Sequence, residues 1–264
     1  MLISFRGGKI HYSESGRGNI IVLIHGYLET MEVWETFSKK LSENFRVIRI
    51  DLPGHGESGS CGDINTMELF AEAIKAVLDS LGIRKAFLAG HSMGGYATLA
   101  FLQLFPEYLS GFSLFHSHPL PDLPETVLKR KQSIKFIKEG GKEKMIPDFV
   151  RNLYARTNTD KFKNAIDKSI EIASATSEKT IIADLNGMMV RSSGVHLLEE
   201  GSIPFLWILG IMDSHIDHEK IVHSVKLPGN SRVVILNNSG HMGFIEEEDL
   251  SVKVVTEYVK NITF

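Results

Sequence analysis

Short apolar runs alternate with amphipathic stretches along most of this chain. Residues 20–24, 45–50, 85–89, 112–115, 204–210 and 232–237 are compact apolar runs bounded by Gly, Pro, Asn or Asp, which predicts buried strands. Between them lie helical patterns. One spans residues 34–41, and another runs from a Thr66 cap to Leu81, with Leu69, Ala73, Ala76, Val77 and Leu81 as its apolar stripe. A third runs from Tyr96 to Phe105, where Pro106 ends it. Residues 3–12 read as a hairpin turning at Gly7-Gly8, and residues 51–64, rich in Gly, Pro and small polar side chains, as a loop. The rhythm breaks after His118. Pro119, Pro121 and Pro124 interrupt the chain, and residues 125–198 read as several helices with no strand, the first lysine-rich around residues 129–142. No internal repeat is present.

Composition narrows the class. A chain of 264 residues, 43% of them hydrophobic, can bury one substantial α/β core with an insertion. A formal charge of −3 without a long basic run gives nucleic acid or an anionic membrane no electrostatic footing. Cys61 is the sole cysteine, which excludes an internal disulfide and is compatible with a reducing compartment. The N-terminal residues lack the continuous apolar region of a secretory leader, and no stretch is long and apolar enough to span a bilayer, so a cytoplasmic location is expected.

The chemistry concentrates at Gly90-His91-Ser92-Met93-Gly94, where an apolar strand runs into G-x-S-x-G and out into a helix. Such a turn lifts a serine to the sheet edge, and side chains at positions 90 and 94 would collide where strand and helix meet. A serine hydroxyl needs a base to take its proton, and a histidine base needs an acid to fix its tautomer. Asp213, just beyond the strand at 204–210, and His241, just beyond the strand at 232–237, fit those roles over the same sheet edge. Asp217 is the rival acid, although the run Asp217-His218-Glu219-Lys220 reads as an N-cap and solvated first turn. Backbone N–H groups of Tyr27 and Met93 are the expected oxyanion donors, and His25 is expected to brace its loop.

Ser92, Asp213 and His241 in this order, with His25-Gly26 after one early strand and Asp51-Leu52-Pro53-Gly54-His55-Gly56-Glu57-Ser58 after the next, resemble the α/β-hydrolase superfamily. Within it the chain is similar to the single-domain branch of esterases, lipases and carbon–carbon-bond hydrolases. Haloalkane dehalogenases and epoxide hydrolases look similar but carry Asp at the nucleophile position, and proline iminopeptidases typically carry Gly-Gly-Ser-Trp-Gly. The resemblance implies a mostly parallel eight-stranded α/β sheet with helices on both faces. It divides the chain into a hydrolase core, residues 1–118 and 200–264, and a helical lid insertion, residues 119–199, after the sixth strand.

In such a protein the lid shapes the acyl and leaving-group pockets. Trp34, His116, His118, Met188, Met189 and Met242 are the candidate substrate contacts. No cofactor is implied, and the histidines lack metal-ligand spacing. The expected activity is a serine esterase forming an acyl-enzyme on a small acyl substrate. The rival enzyme reading is carbon–carbon cleavage of a carbonyl compound by the same triad, with Arg151, Arg156 or Arg191 anchoring an acidic substrate. A third reading is a ligand-binding protein with little or no turnover. Oligomeric state is left open.

Overall fold

The computed structural model describes residues 1–264. Its centre is an eight-stranded sheet in the order β1-β2-β4-β3-β5-β6-β7-β8. The strands are β1 (Leu2–Phe5), β2 (Gly8–Ser15), β3 (Ile20–Ile24), β4 (Arg46–Ile50), β5 (Ala86–His91), β6 (Leu109–Phe115), β7 (Phe205–Gly210) and β8 (Ser231–Leu236). From β4 onward every neighbouring pair is parallel, and β1 and β2 join antiparallel at one edge. The hairpin turns at Arg6-Gly7, both at positive φ, one residue earlier than the Gly7-Gly8 expected, because Phe5 pairs with Gly8. β5, β6 and β7 are buried along their whole length, which is why they read as unbroken apolar runs rather than alternating ones.

Helices α1 (Glu35–Leu41), α2 (Met67–Ser80), α3 (Met93–Leu104), α9 (His218–His223), α10 (Gly243–Glu246) and α11 (Glu248–Lys260) complete the body. α2 packs with α3 and α1 with α11, flanking the sheet. Thr66 caps α2 as expected, its side chain accepting from the Leu69 N–H. α3 begins at Met93, immediately after Ser92, three residues earlier than the pattern suggests. Its first turn contains Gly94-Gly95, which carry no side-chain signal.

Between β6 and β7 lies an all-helical insertion of α4 (Pro124–Lys138), α5 (Lys142–Arg151), α6 (Lys163–Ala175), α7 (Glu178–Met189) and α8 (Val195–Glu199). It is fastened to the body by buried polar groups. Asp184 on α7 takes a hydrogen bond from Asn65 Nδ2 at 2.7 Å, and its other oxygen lies 3.0 Å from His55 Nε2, with both side chains fully buried. Thr180 Oγ1 donates to the Gly54 carbonyl at 3.0 Å. The 51–64 loop is thus the floor on which α7 is bolted. Asp122 and Arg191 tie the two ends of the insertion together: Arg191 donates to Asp122, to the Met188 carbonyl and to the Leu120 carbonyl.

Burial alone would push the His55 pKa down, but the Asp184 carboxylate outweighs it and leaves the pKa raised above 6.5. The stabilisation this pair supplies is therefore complete below pH about 6.5 and fades as pH rises through the raised value. Asp184→Ala, which strands a buried cation and Asn65, is expected to cost about 3–5 kcal/mol. Denaturant unfolding of both proteins across pH checks this, with the gap narrowing toward alkaline pH.

Candidate active site

The site starts from a steric fact at the end of β5. A Cβ at position 90 would lie 2.2 Å from the Gly94 carbonyl oxygen, and one at position 94 would lie 2.4 Å from the Ile24 carbonyl oxygen. Only glycine lets α3 descend this close to β3 and β5. Ser92 absorbs the reversal with φ 49° and ψ −113°, a conformation costing roughly 1–3 kcal/mol that the surroundings must hold. They do so through β6: Ser92 N–H donates to the Phe115 carbonyl at 3.0 Å, and Ser117 Oγ donates to the Ser92 carbonyl at 2.7 Å. The Ser92 hydroxyl itself makes no protein hydrogen bond and faces a cavity of about 440 Å³.

Asp213 and His241 arrive at the same edge from the loops after β7 and β8. His241 Nδ1 lies 2.7 Å from Asp213 Oδ2, while Asp213 Oδ1 accepts the N–H groups of His215 and Ile216 at 2.8 and 3.1 Å. With a carboxylate on Nδ1, the His241 ring presents Nε2 to the cavity that Ser92 also lines. Burial favours a neutral carboxyl at Asp213, but the His241 ring and the hydrogen bonds outweigh it and hold its pKa well below the usual range. His241 is pushed the other way. Burial disfavours its charged form, and the nearby rings of His91 and His116 add to this against the pull of Asp213, so its pKa falls below 6.5. Asp217 is elsewhere, capping α9 through the Lys220 N–H.

The Tyr27 N–H has no hydrogen-bond acceptor, and the Met93 N–H opens α3, where first-turn donors lack intrahelical partners. His25 braces its loop: Nε2 accepts from the Leu52 N–H at 3.0 Å, leaving Nδ1–H to donate to the Gly26 carbonyl at 2.8 Å. Of the expected substrate contacts, His118 and Met188 line the cavity, as does the Tyr27 side chain. His118 Nδ1 accepts from the Leu120 N–H, so its Nε2–H donates to the Tyr96 phenol at 3.1 Å, and the Tyr96 hydroxyl proton remains for a ligand. Burial and the Arg191 charge drive the His118 pKa down to about 4, keeping the ring neutral.

Four expected contacts lie elsewhere. Trp34 is fully buried at the end of a 3₁₀ turn (Met31–Trp34), its ring 4.1 Å from that of Phe244 and edge-on to His91. Met242 is core at the start of α10, and Met93 is likewise fully buried, its side chain off the cavity. Met189 follows Met188 around the helix and so turns away from the cavity. His116 adopts φ 46° after β6, which sends its ring behind Asp213: Nε2 accepts from the Gly243 N–H at 3.1 Å, and Nδ1 stands 3.4 Å from Asp213 Oδ2. That last approach is too misaligned to satisfy Nδ1 fully. His116, Asp213 and His241 have donor atoms within 4.8 Å of one another, of which His241 Nδ1 and Asp213 Oδ2 are hydrogen-bonded.

Other side chains at the site escaped the sequence reading. His215 lines the cavity with its ring 5.3 Å from that of His241, and burial takes its pKa down to about 4. Lys129 and Arg130, on α4, supply cations to the wall. Glu246, in the acidic run 246–249, is buried, accepting from Gly240 N and Met242 N on the loop that carries His241 and from Ala155 N and Asn158 Nδ2 on the insertion. The arginines expected to anchor an acid do not reach the cavity: Arg151 is exposed beside Asp148, Arg156 is exposed, and Arg191 is consumed by Asp122 and two carbonyls.

A family model for the alpha/beta hydrolase fold matches residues 19–248. A dihydrolipoyllysine-residue acetyltransferase component of an acetoin cleaving system from Pseudomonas putida is 40% identical over 100 residues, 38% of this chain but only 27% of that protein. The chain thus spans about a quarter of that relative's length. A 2-hydroxy-6-oxononadienedioate/2-hydroxy-6-oxononatrienedioate hydrolase from Burkholderia vietnamiensis is 24% identical over 96% of this chain and 91% of its own. Among solved structures, a thermophilic esterase from Thermogutta terrifontis superposes with a TM-score of 0.89 at 24% identity, covering 96% of this chain and 93% of the esterase.

Two measurements check the geometry. The acid limb of kcat/KM is expected to fall at a pKa below 6.5, since His241 must be neutral to accept a proton and its surroundings lower its affinity for one. Asp213→Asn is expected to lower kcat by about 10⁴-fold through loss of the correct tautomer, whereas Asp217→Asn leaves it within about twofold. The steric logic of the elbow, the sheet order and the family match over residues 19–248 agree: this chain belongs to the alpha/beta hydrolase fold family.

Proposed function

We propose that the chain is a hydrolase in which Ser92, His241 and Asp213 attack the carbonyl of a small substrate bearing an acidic group, and that it cleaves a carbon–carbon bond. The observation that carries this reading is an unpaired cation on the cavity wall. The candidate nucleophile and base stand on its floor, and the exposed Lys129, engaged in no ion pair, stands on its wall beside Arg130, whose guanidinium is held by Asp122. A relative that spans nearly the whole chain supports it, being named for an unsaturated hydroxy-oxo dicarboxylate that contains no ester.

In this mechanism His241 accepts the Ser92 proton as the oxygen adds to the ketone, and Asp213 stabilises the imidazolium. The Tyr27 and Met93 N–H groups receive the oxyanion. In the ketonised substrate, whose enol proton has moved to the carbon beside the attacked carbonyl, the bond between those two carbons breaks, its electron pair passes through the remaining C=C onto the 2-oxo oxygen, and His241 returns the proton taken from Ser92 to that enolate. Water then releases the acid from Ser92 by the same proton transfers reversed. Ester hydrolysis is the second reading, favoured by the apolar wall of Leu120, Met145, Phe149, Leu185, Met188 and Ile221, which suits an uncharged acyl chain.

The two are separated by assaying p-nitrophenyl esters of graded chain length beside a 2-hydroxy-6-oxo-dienoic acid. Higher kcat/KM on the keto acid supports carbon–carbon cleavage, whereas turnover of esters alone, with a burst of acyl-enzyme, returns the esterase. Ser92→Ala is expected to abolish both activities in a folded protein, and full activity in that variant would overturn the serine mechanism. Lys129→Met is expected to raise KM for the acid about tenfold or more and leave neutral esters unaffected.

A further inference from the structure

His91, the residue inside the elbow motif that the triad does not use, has an unusual pair of neighbours. Its Nδ1 lies 2.9 Å from Glu29 Oε2, and its Nε2 lies 2.9 Å from the backbone carbonyl oxygen of His241. A neutral imidazole has one donor and one acceptor nitrogen, and a carbonyl oxygen can only accept. Nε2 must therefore carry a hydrogen. The remaining question is whether Nδ1 or Glu29 holds the second proton. Glu29 Oε2 already accepts the Gly26 N–H at 2.6 Å, so the same oxygen is the focus of two nitrogens, the environment of an ionised carboxylate rather than a hydroxyl. The ring is 1% exposed and the carboxylate side chain 5%, so little solvent competes for the pair.

We propose that His91 is a permanent imidazolium which, clamped between Glu29 and the His241 carbonyl, acts as a positioning residue joining the oxyanion loop, the nucleophile turn and the base loop into one unit. The chain of contacts runs Gly26 N–H, Glu29, His91, His241 carbonyl, and it links the segments after β3, β5 and β8 without passing through the substrate cavity's reacting atoms. Phe244 meets the His91 ring edge-to-face at 4.9 Å between centroids and Trp34 at 6.2 Å, which explains why these aromatics are buried beneath the site rather than within it. A cation here also acts on the base. The His91 and His241 ring centroids are 5.0 Å apart, so a charged His91 repels a proton on His241 and favours its neutral, proton-accepting form.

Other charges bear on both rings. His241 is faced by Asp213 and His215 from the loop after β7 and by His116 from the end of β6, with Glu246 holding the N–H groups on either side of it. His91 is also near His116, and the field of Asp213 and of His25 reaches it. Asp213 alone would raise the His241 affinity for a proton; burial is the main counterweight, and the His91 cation at the end of β5 adds to it.

The role in turnover rests on the hydrolase reading, but the protonation state does not, and the experiment separates them. Long-range ¹H–¹⁵N correlation spectra of the ¹⁵N-histidine-labelled protein are expected to include, up to about pH 8, a ring with two protonated nitrogens that is lost in His91→Gln and is distinct from the His55 signal, which that variant keeps. A His91 nitrogen with the shift of an unprotonated ring position at neutral pH would overturn the proposal, whatever the enzyme's substrate. Glu29→Gln keeps an acceptor for Gly26 but removes the counter-charge, so His91 is expected to become neutral. The acid limb of kcat/KM, on whichever substrate turns over, is then expected to move up by about one pH unit. A uniform loss of activity with an unmoved limb would mean that His91 only packs.

Discussion

Everything at this site depends on how near a helix is allowed to come to a strand. The missing side chains at positions 90 and 94 let the first turn of α3 touch the backbone of β3 and β5, and the chain reverses within one residue. That reversal fixes the direction of the Ser92 hydroxyl and leaves the Met93 N–H at an open helix start. The cost is a serine in a backbone region that side chains avoid, and it is met by hydrogen bonds from β6 that hold both faces of the Ser92 peptide. A larger residue at either glycine would disturb the nucleophile, the helix and the oxyanion loop together.

Much of this was readable from the residues because backbone geometry and sequence pattern speak the same language there. Apolar runs bounded by turn residues place β3 to the residue and β4, β7 and β8 within one, whereas β5 and β6, whose ends carry Gly, His or Ser, extend two and three residues beyond their runs. The order of serine, acid and histidine follows from where loops leave a parallel sheet. What failed to be legible depended on side-chain direction. His116 and His118 are two residues apart, which on an extended strand puts them on one face, but the positive φ at His116 sends one behind Asp213 and the other into the cavity. Met188 and Met189 differ by the rotation of a helix, and Trp34 and Met242 are apolar residues near the site whose burial no periodicity could decide.

Charge was the least legible quantity. Glu29, Asp184 and Glu246 are buried or nearly so, each in a stretch that reads as ordinary loop or helix surface. Each has a partner far away in sequence: His91 for Glu29, His55 and Asn65 for Asp184, and the Ala155 N–H and Asn158 amide for Glu246. Local patterning carries no record of such pairings. They share one purpose, because each joins a loop bearing site residues to a segment that cannot otherwise pack against it. The lid arginine expected to bind substrate, Arg191, is spent in the same way.

The stitching around Glu246 also decides which border of the insertion is held. His241 N–H donates to the Leu153 carbonyl at 2.6 Å, Asn158 reaches the Asn238 carbonyl at 2.6 Å, and Glu246 closes the seam, so the insertion is riveted to the base loop along this border. α4 on the opposite border buries only Ile137. The cavity wall is therefore tied down along the border over His241, whereas at α4 it rests on packing against α7 and on the Asp122–Arg130 ion pair. The seam leaves His241 only 3% exposed, so that in the mechanism proposed above bulk water stays clear of the ring that takes the Ser92 proton.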